Sequence, residues 1–202
     1  MTYKILILIT IPIILFSCKK GEEDPFISLH TRKARLTNTW KLIEMSYKLN
    51  ESYSLYENTL NITSYYDGAK EIKTITENSS TQYDTVYYRI EYTFKKDYTY
   101  TKKRTETSPK DARLNDYMIE EGIWDFLSKS KTQNYKNKER IILTPTRYYN
   151  DNENYQLQYF SYVWDLVKLS SDELKVSVNN EYYNYVSGYT GTESADYLFK
   201  AQ

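Results

Sequence analysis

The feature that most restricts the fold is a strict two-residue alternation in the middle of the chain. Val86, Tyr88, Ile90, Tyr92 and Phe94 fall on one side of an extended backbone, and Tyr87, Arg89, Glu91 and Thr93 on the other. Successive side chains of a strand point to opposite faces, so this segment fits a sheet with one dry and one wet face. Lys95-Lys96-Asp97 then supplies a tight turn. Tyr98 to Thr107 resumes as a strand in which Thr and charged residues alternate, and the two segments read as a hairpin.

Further strands are expected at Thr39 to Lys48, Ala69 to Glu77, Met118 to Leu127, Glu139 to Thr144, Phe160 to Leu169, Leu174 to Val178 and Ala195 to Lys200. With the hairpin this makes about nine short antiparallel strands, and their even spacing suggests a β-barrel or sandwich. Long loops are expected at Ser108 to Tyr117, Tyr148 to Tyr155 and Tyr182 to Ser194. A short helix fits Pro25 to Thr37, with Ile27, His30 and Ala34 on one face and the basic Arg32, Lys33 and Arg35 toward its C-terminal end, where they suit the macrodipole. No fixed-period repeat is visible. The 24 tyrosines, set against five glycines and four prolines, suit half-buried strands. Codon usage that favours Tyr, Asn, Lys and Ile accounts for most of them, and an aromatic binding surface is the alternative.

The N-terminus carries targeting information. Lys4 gives a positive start, and Ile5 to Phe16 is an apolar run broken only by Thr10 and Pro12. That run is shorter than the roughly 20 apolar residues a spanning helix needs and fits a secretory signal peptide over residues 1–17. It ends in Leu15-Phe16-Ser17-Cys18, which resembles the lipobox of bacterial lipoproteins. The resemblance implies cleavage before Cys18, a diacylglycerol on its thiol, and acylation of the freed amine in many bacteria. More than one acyl chain gives stable anchoring, since each buried CH₂ contributes about 0.8 kcal/mol. Residues 18–28 would be the lipidated cysteine and a tether. Within them Lys19 to Asp24 is either a solvated spacer or, by resemblance to lipoproteins of some Gram-negative groups, a surface-export signal. The expected location is the outer membrane, on its periplasmic face or at the cell surface.

Cys18 is the only cysteine. The chain can form no internal disulfide, and once that thiol is lipidated none remains for catalysis or metal binding. The barrel domain expected over residues 29–202 must therefore rest on a hydrophobic core. Net charge is zero, and removal of residues 1–17 takes away Lys4 and no acid. That balance argues against a nucleic-acid partner.

Four pieces of sequence, in order, resemble the lipocalin-like domain of small bacterial lipoproteins. Leu36-Thr37-Asn38-Thr39-Trp40 is similar to a Gly-x-Trp opening, with Asn38 in the glycine position. Asn tolerates positive φ better than most residues. Phe94-Lys95-Lys96-Asp97-Tyr98-Thr99-Tyr100 resembles the family's Phe-x-x-Asp-Gly-Thr-Tyr hairpin, with Tyr98 replacing glycine. Gly122-Ile123-Trp124 and the segment from Trp164 to Val176 complete the set. The resemblance covers about Leu36 to Lys200. It implies an all-β, up-and-down antiparallel barrel of about eight strands with Trp40 across its closed end and Trp124 and Trp164 as core aromatics. It does not select a function, because such barrels bind varied ligands, inhibit enzymes or serve as structural modules.

No catalytic set emerges. The one histidine, His30, precedes the barrel and lacks the partners of a triad or a zinc site. Glu120 and Glu121 are adjacent in a strand, so they point to opposite faces and cannot act as an acid–base pair. Glu120 shares a face with Trp124 and is the best candidate for a polar group inside the barrel. Arg89 and Arg104 are expected to face solvent. Asp151-Asn152-Glu153-Asn154 is oxygen-rich but lacks fixed calcium-ligand positions. Tyr65-Tyr66, Tyr148-Tyr149, Tyr182, Tyr183, Tyr185 and Tyr189 are expected at strand ends or in loops, where rings can stack on sugars or rim an apolar ligand. The expectation is a non-enzymatic, lipid-anchored barrel with no metal and no cofactor. It would bind a small apolar or amphipathic ligand through Glu120 and the tyrosines. The alternative is a surface module for glycan or a partner protein, acting through Tyr-rich loops without a small-molecule cavity.

Overall fold

The computed structural model describes residues 31–53, 58–106, 117–127, 139–150, 154–155, 160–184 and 189–202. A single-turn helix, α1 (Arg32–Leu36), is followed by β1 (Thr39–Tyr53), β2 (Asn58–Tyr66), β3 (Lys70–Glu77), β4 (Ser80–Phe94), β5 (Thr99–Glu106) and β6 (Tyr117–Leu127). Then come β7 (Glu139–Asn150), the two-residue β8 (Asn154–Tyr155), β9 (Tyr162–Leu169), β10 (Glu173–Asn184) and β11 (Tyr189–Ala201). Neighbours pair antiparallel in chain order, β1 pairs with β11, and the β6–β7 pairing closes the ring. Ten strands thus form an up-and-down barrel, and the short β8 pairs to the same edge of β7 as β9, beyond the end of β9.

The strand count differs at the two ends. At one end Thr39, Trp40 and Lys41 of β1 pair directly with Thr93, Tyr92 and Glu91 of β4, so only eight strands surround the axis. Further along, β1 and β4 separate and the β2–β3 hairpin fills the gap. Barrel diameter grows with strand number, so the wall flares from eight strands to ten. The expected eight strands describe the narrow end only. β2 was not expected from the sequence, because Ser64 interrupts its inner face of Leu60, Ile62 and Tyr66 and Tyr65 adds an aromatic to the outer one.

The fork is built by two local irregularities. A bulge at Ile43 shifts the β1–β11 register. Gly68, at φ +91°, turns the hairpin against it, where an added Cβ would meet the Ile43 carbonyl oxygen at 3.1 Å. The Asp67 carboxylate caps the turn by accepting the N–H groups of Ala69 and Lys70 at 3.1 and 3.0 Å.

The narrow end is plugged. Trp40 is fully buried and its indole N–H donates to the Leu36 carbonyl at 2.8 Å. Arg35 reaches across to donate to the Leu169 carbonyl at 2.5 Å, and Arg32 pairs with Glu139. The helix therefore seals the barrel with Arg35 and Leu36. Ala34 is exposed. Ile27 and His30 lie outside the described residues, as do Cys18 and the whole of residues 1–30.

Above the plug lie Leu42, Phe94, Trp124, Ile141, Leu143, Leu166, Leu169, Leu174, Val176 and Phe199, all buried. Each contributes on the order of 1.5–3 kcal/mol when buried fully. Trp124 stands edge-on to Phe94 with centroids 5.8 Å apart, and Trp164 edge-on to Tyr92 at 4.9 Å. The three tryptophans thus occupy the floor.

The turn between β4 and β5 keeps the shape that glycine would give it. Tyr98 takes φ +67°, a left-handed conformation costly for a residue with a Cβ. Its ring packs 5.1 Å from Trp124 and lies under the Lys33 ammonium at 3.4 Å. Asn38, in contrast, is not at positive φ. Its side-chain oxygen accepts the Thr39 N–H at 2.8 Å and its carbonyl accepts the Phe94 N–H at 2.9 Å.

The expected loops at Tyr148 to Tyr155 and Tyr182 to Ser194 are largely wall. β7 runs on to Asn150 and pairs with β8, and β10 and β11 pair from Glu173–Lys200 out to Asn184–Tyr189. Polar side chains on long wall strands mimic loop composition. Residues 108–116, 151–153 and 185–188 of the expected loops lie outside the described residues.

Candidate functional site

Strand β5 places the site. Its partner register sets Tyr100 opposite Phe94 and Lys102 opposite Tyr92, with Arg104 opposite Ile90, so Tyr100, Lys102, Arg104 and Glu106 all face inward. Solvent access rises along this row. Tyr100 is buried, while the side chains of Lys102, Arg104 and Glu106 are 21%, 30% and 44% exposed. Water therefore reaches the inner wall from the ten-strand end and stops at the level of Tyr100.

Glu120 of β6 sits at that boundary, with its side chain 10% exposed. Its Oε1 accepts from the Tyr100 hydroxyl at 2.7 Å and from the Tyr162 hydroxyl, across on β9, at 2.5 Å. Its Oε2 lies 3.9 Å from Lys102 Nζ. Burial is the largest cause that pushes the Tyr100, Tyr162 and Tyr92 phenols above their ordinary range, and the Glu120 charge adds to it in each. The hydroxyls stay protonated and serve as donors. Burial likewise pulls the Lys102 ammonium below its ordinary value; Glu120 opposes this and Arg104 adds to it.

Gly122 makes this arrangement possible. A Cβ there would sit 2.6 Å from Tyr100 Cε1 and 2.4 Å from the Thr144 carbonyl oxygen. The bare backbone lets the Tyr100 ring lie flat on β6 and aim its hydroxyl at Glu120, two residues away on the same face. A bulge at Thr146 of β7 falls beside the same point, between the Glu121 and Gly122 pairings.

A second polar cluster occupies the adjoining wall, where the β2–β3 hairpin enters. Glu71 is buried and accepts from the Tyr88 hydroxyl at 3.0 Å. Tyr88 stacks on Tyr66 with centroids 4.8 Å apart, and Tyr66 donates to the Tyr88 carbonyl at 2.9 Å. Burial pushes the Tyr66 phenol up to about 12. The Arg104 guanidinium lies over the Tyr88 ring at 4.3 Å and joins the two clusters.

Of the residues singled out from sequence, Glu120 lies on the inner wall above the floor tryptophans. Tyr183 and Tyr189 do not gather with it. Tyr183 is on the outer face of β10 and exposed, and Tyr189 of β11 donates to Glu51 of β1. Tyr182 lies in β10, and its side chain and the whole of Tyr185 lie outside the described residues. Arg89 faces solvent as expected, but Arg104 faces inward. The signal for this was present: an antiparallel hairpin that pairs Phe94 with Tyr100 puts every second residue after Tyr100 inside, charged or not. Among the described residues no group of His, Cys, Asp and Glu is arranged to hold a metal ion, and no helix is long and apolar enough to cross a membrane.

Fold and site together define a closed antiparallel barrel with a dry aromatic floor and a charged inner wall. No protein-family model, curated protein or solved structure matches the chain.

Proposed function

We propose that this chain is an exported lipoprotein, cut before Cys18 and held at the outer membrane by its acyl chains, whose lipocalin-like barrel binds a small amphipathic ligand. The observation that carries the binding reading is the change in character along the inner wall. Aromatic and aliphatic residues fill the eight-strand end, while Lys102, Arg104, Glu120 and Glu71 line the wall above them. Charges turned inward cost desolvation that an apolar filling would avoid. A concave, largely apolar enclosure with a few converging polar groups is the usual form of a small-molecule site. The polar wall and apolar floor together suit an amphipathic ligand better than a purely apolar one.

Native mass spectrometry of the gently purified full chain tests this. A small molecule bound one-to-one and released on unfolding is the expected result. A consistently bare chain that takes up no amphiphile from a mixed panel would contradict it. For the anchor, Cys18→Ala is expected to give an unlipidated precursor; acyl chains still attached to that variant would contradict the assignment.

A second reading, a surface module for glycan or a partner protein, draws support from the outer face. Tyr65 and Ile72 are register partners on β2 and β3, Tyr83 on β4 pairs with Thr74 two residues further along, and Tyr65, Ile72 and Tyr83 are all exposed, as is Tyr183. Alanine at Tyr65, Tyr83 or Tyr183 would abolish partner capture if this reading held, and leave ligand uptake intact.

A further inference from the structure

The polar groups of the inner wall are unequally satisfied. The carboxylates are already solvated: Glu120 accepts two phenol hydroxyls and faces Lys102, and Glu71 accepts the Tyr88 hydroxyl. The cations keep spare donors. Lys102 Nζ lies 3.9 Å from Glu120, beyond hydrogen-bond range, and 5.7 Å from the centre of the Tyr92 ring. Arg104 pairs through one Nη with Glu106 at 2.8 Å and covers the Tyr88 ring, while its Nε is buried with no hydrogen-bond partner. A buried donor without an acceptor costs about 1–3 kcal/mol, so Arg104 stands ready for one more acceptor. Its pair with Glu106 is half-exposed, hence weak and easily exchanged.

The two cations are two residues apart on one face of β5, so their backbone positions lie about 7 Å apart, a span one small anion can bridge. Directly beside Arg104 in the wall are Ile90 on β4 and Met118 on β6, both inner-face and only half-buried. They offer apolar contact at the edge of the charged pair. We propose that Lys102 and Arg104 form the head-group subsite for a small amphiphile bearing a carboxylate, whose apolar body lies against Ile90 and Met118. An ammonium head group is disfavoured at this subsite, because Lys102 and Arg104 repel it and Glu120 beside them is already taken by two phenols. The inference rests on the barrel being a ligand-binding protein and adds the charge of the ligand.

The test uses three probes with one body: 4-phenylbutyrate, 4-phenylbutanol and 4-phenylbutylammonium. Each is measured by equilibrium dialysis against the full chain in nonionic detergent, with empty micelles as blank. The butyrate is expected to bind about 10- to 100-fold more tightly than the alcohol, the range for hydrogen bonds to charged groups, and the ammonium most weakly. Arg104→Met and Lys102→Met are each expected to erase most of the butyrate's advantage and leave the alcohol unchanged. Near-UV circular dichroism verifies that the variants fold; if they do not, the order of the three probes on the unaltered chain still decides. Equal binding of butyrate and alcohol, or a preference for the ammonium, would overturn the anion subsite and leave the binding reading standing. Binding of none of the three would count against the binding reading itself and remove the inference with it.

Discussion

Replacing Gly122 with alanine probes the link between the barrel wall and the candidate site. In an ordinary strand this change is mildly stabilising, by about 0.5–1 kcal/mol, because glycine loses more backbone freedom on folding. Here the new Cβ would lie 2.4 Å from the Thr144 carbonyl oxygen and 2.6 and 2.9 Å from two atoms of the Tyr100 ring. Thr144 belongs to β7, hydrogen-bonded to β6 along the seam that closes the barrel, so its carbonyl moves only if the seam opens. The Tyr100 ring is packed against Phe94 and Tyr92 and can yield only by taking its hydroxyl off Glu120. Overpacking costs about 1–3 kcal/mol and a lost hydrogen bond to a charged group about 1.5–3 kcal/mol. Set against the backbone gain, the net loss is about 2–5 kcal/mol. Urea unfolding followed by tryptophan emission measures it, since Trp40, Trp124 and Trp164 are all buried and report the floor. Tyr100→Phe, which removes only the hydroxyl, is expected to cost less than Gly122→Ala. Stability of Gly122→Ala within about 0.5 kcal/mol of the unaltered chain would refute the reasoning.

Tyr98→Gly is expected to change stability by less than about 1 kcal/mol, because relief of the left-handed backbone offsets loss of the ring contacts with Lys33 and Trp124. Tyr98→Val, which keeps the strain and loses the ring, is expected to destabilise by about 2 kcal/mol in the same assay. Lys168 and Lys200 hold the Glu173 carboxyl below its ordinary value of 4.5. A depressed folded pKa adds stability that is present above the ordinary value and lost as pH falls through the folded one. The acid-side fall in Tm below about pH 4.5 should therefore be shallower in Glu173→Gln; an unchanged slope would contradict the pairing. The buried phenols have the opposite sign. Tyr66, Tyr88, Tyr92, Tyr100 and Tyr162 are raised above 10, so their contribution is intact below pH 10 and lost above it. Tyrosinate absorbance at 295 nm should show these phenols ionising in step with unfolding. Their free titration near pH 10 in a barrel that stays folded would contradict their burial.

The fold was legible wherever one face of a strand was apolar. Val86 to Phe94, the Trp124 strand and the Trp164 strand all announced themselves by period two, and together they placed the floor. The ten-strand end was less legible because its inner face is polar. The inner positions of β5 and of the outer half of β10 include Lys102, Arg104, Glu106 and Asn180, and Ser64 interrupts the inner face of β2, so these segments read as solvent-facing or as loop when hydrophobicity is the only guide. Glu120 was readable because Trp124 fixed its face. Lys102 and Arg104 needed the hairpin register carried through from Phe94, and Tyr162 needed the curvature of the closed wall, which brings β9 within reach of β6 and has no local signature.

Thiol labelling along the inner row of β5 tests the polar lumen most directly. Cysteine is placed singly at Lys102, Arg104 and Glu106, and for reference at the outward-facing Lys103, with Cys18→Ser leaving no other thiol. The rate of modification by a small water-soluble reagent is then compared. The expected order is Lys103 fastest, then Glu106, Arg104 and Lys102 in steadily falling sequence, following their exposure from the ten-strand end inward. Inner positions that all react as fast as Lys103, or that do not react at all, would contradict a barrel with a dry floor and a water-reached, charged wall.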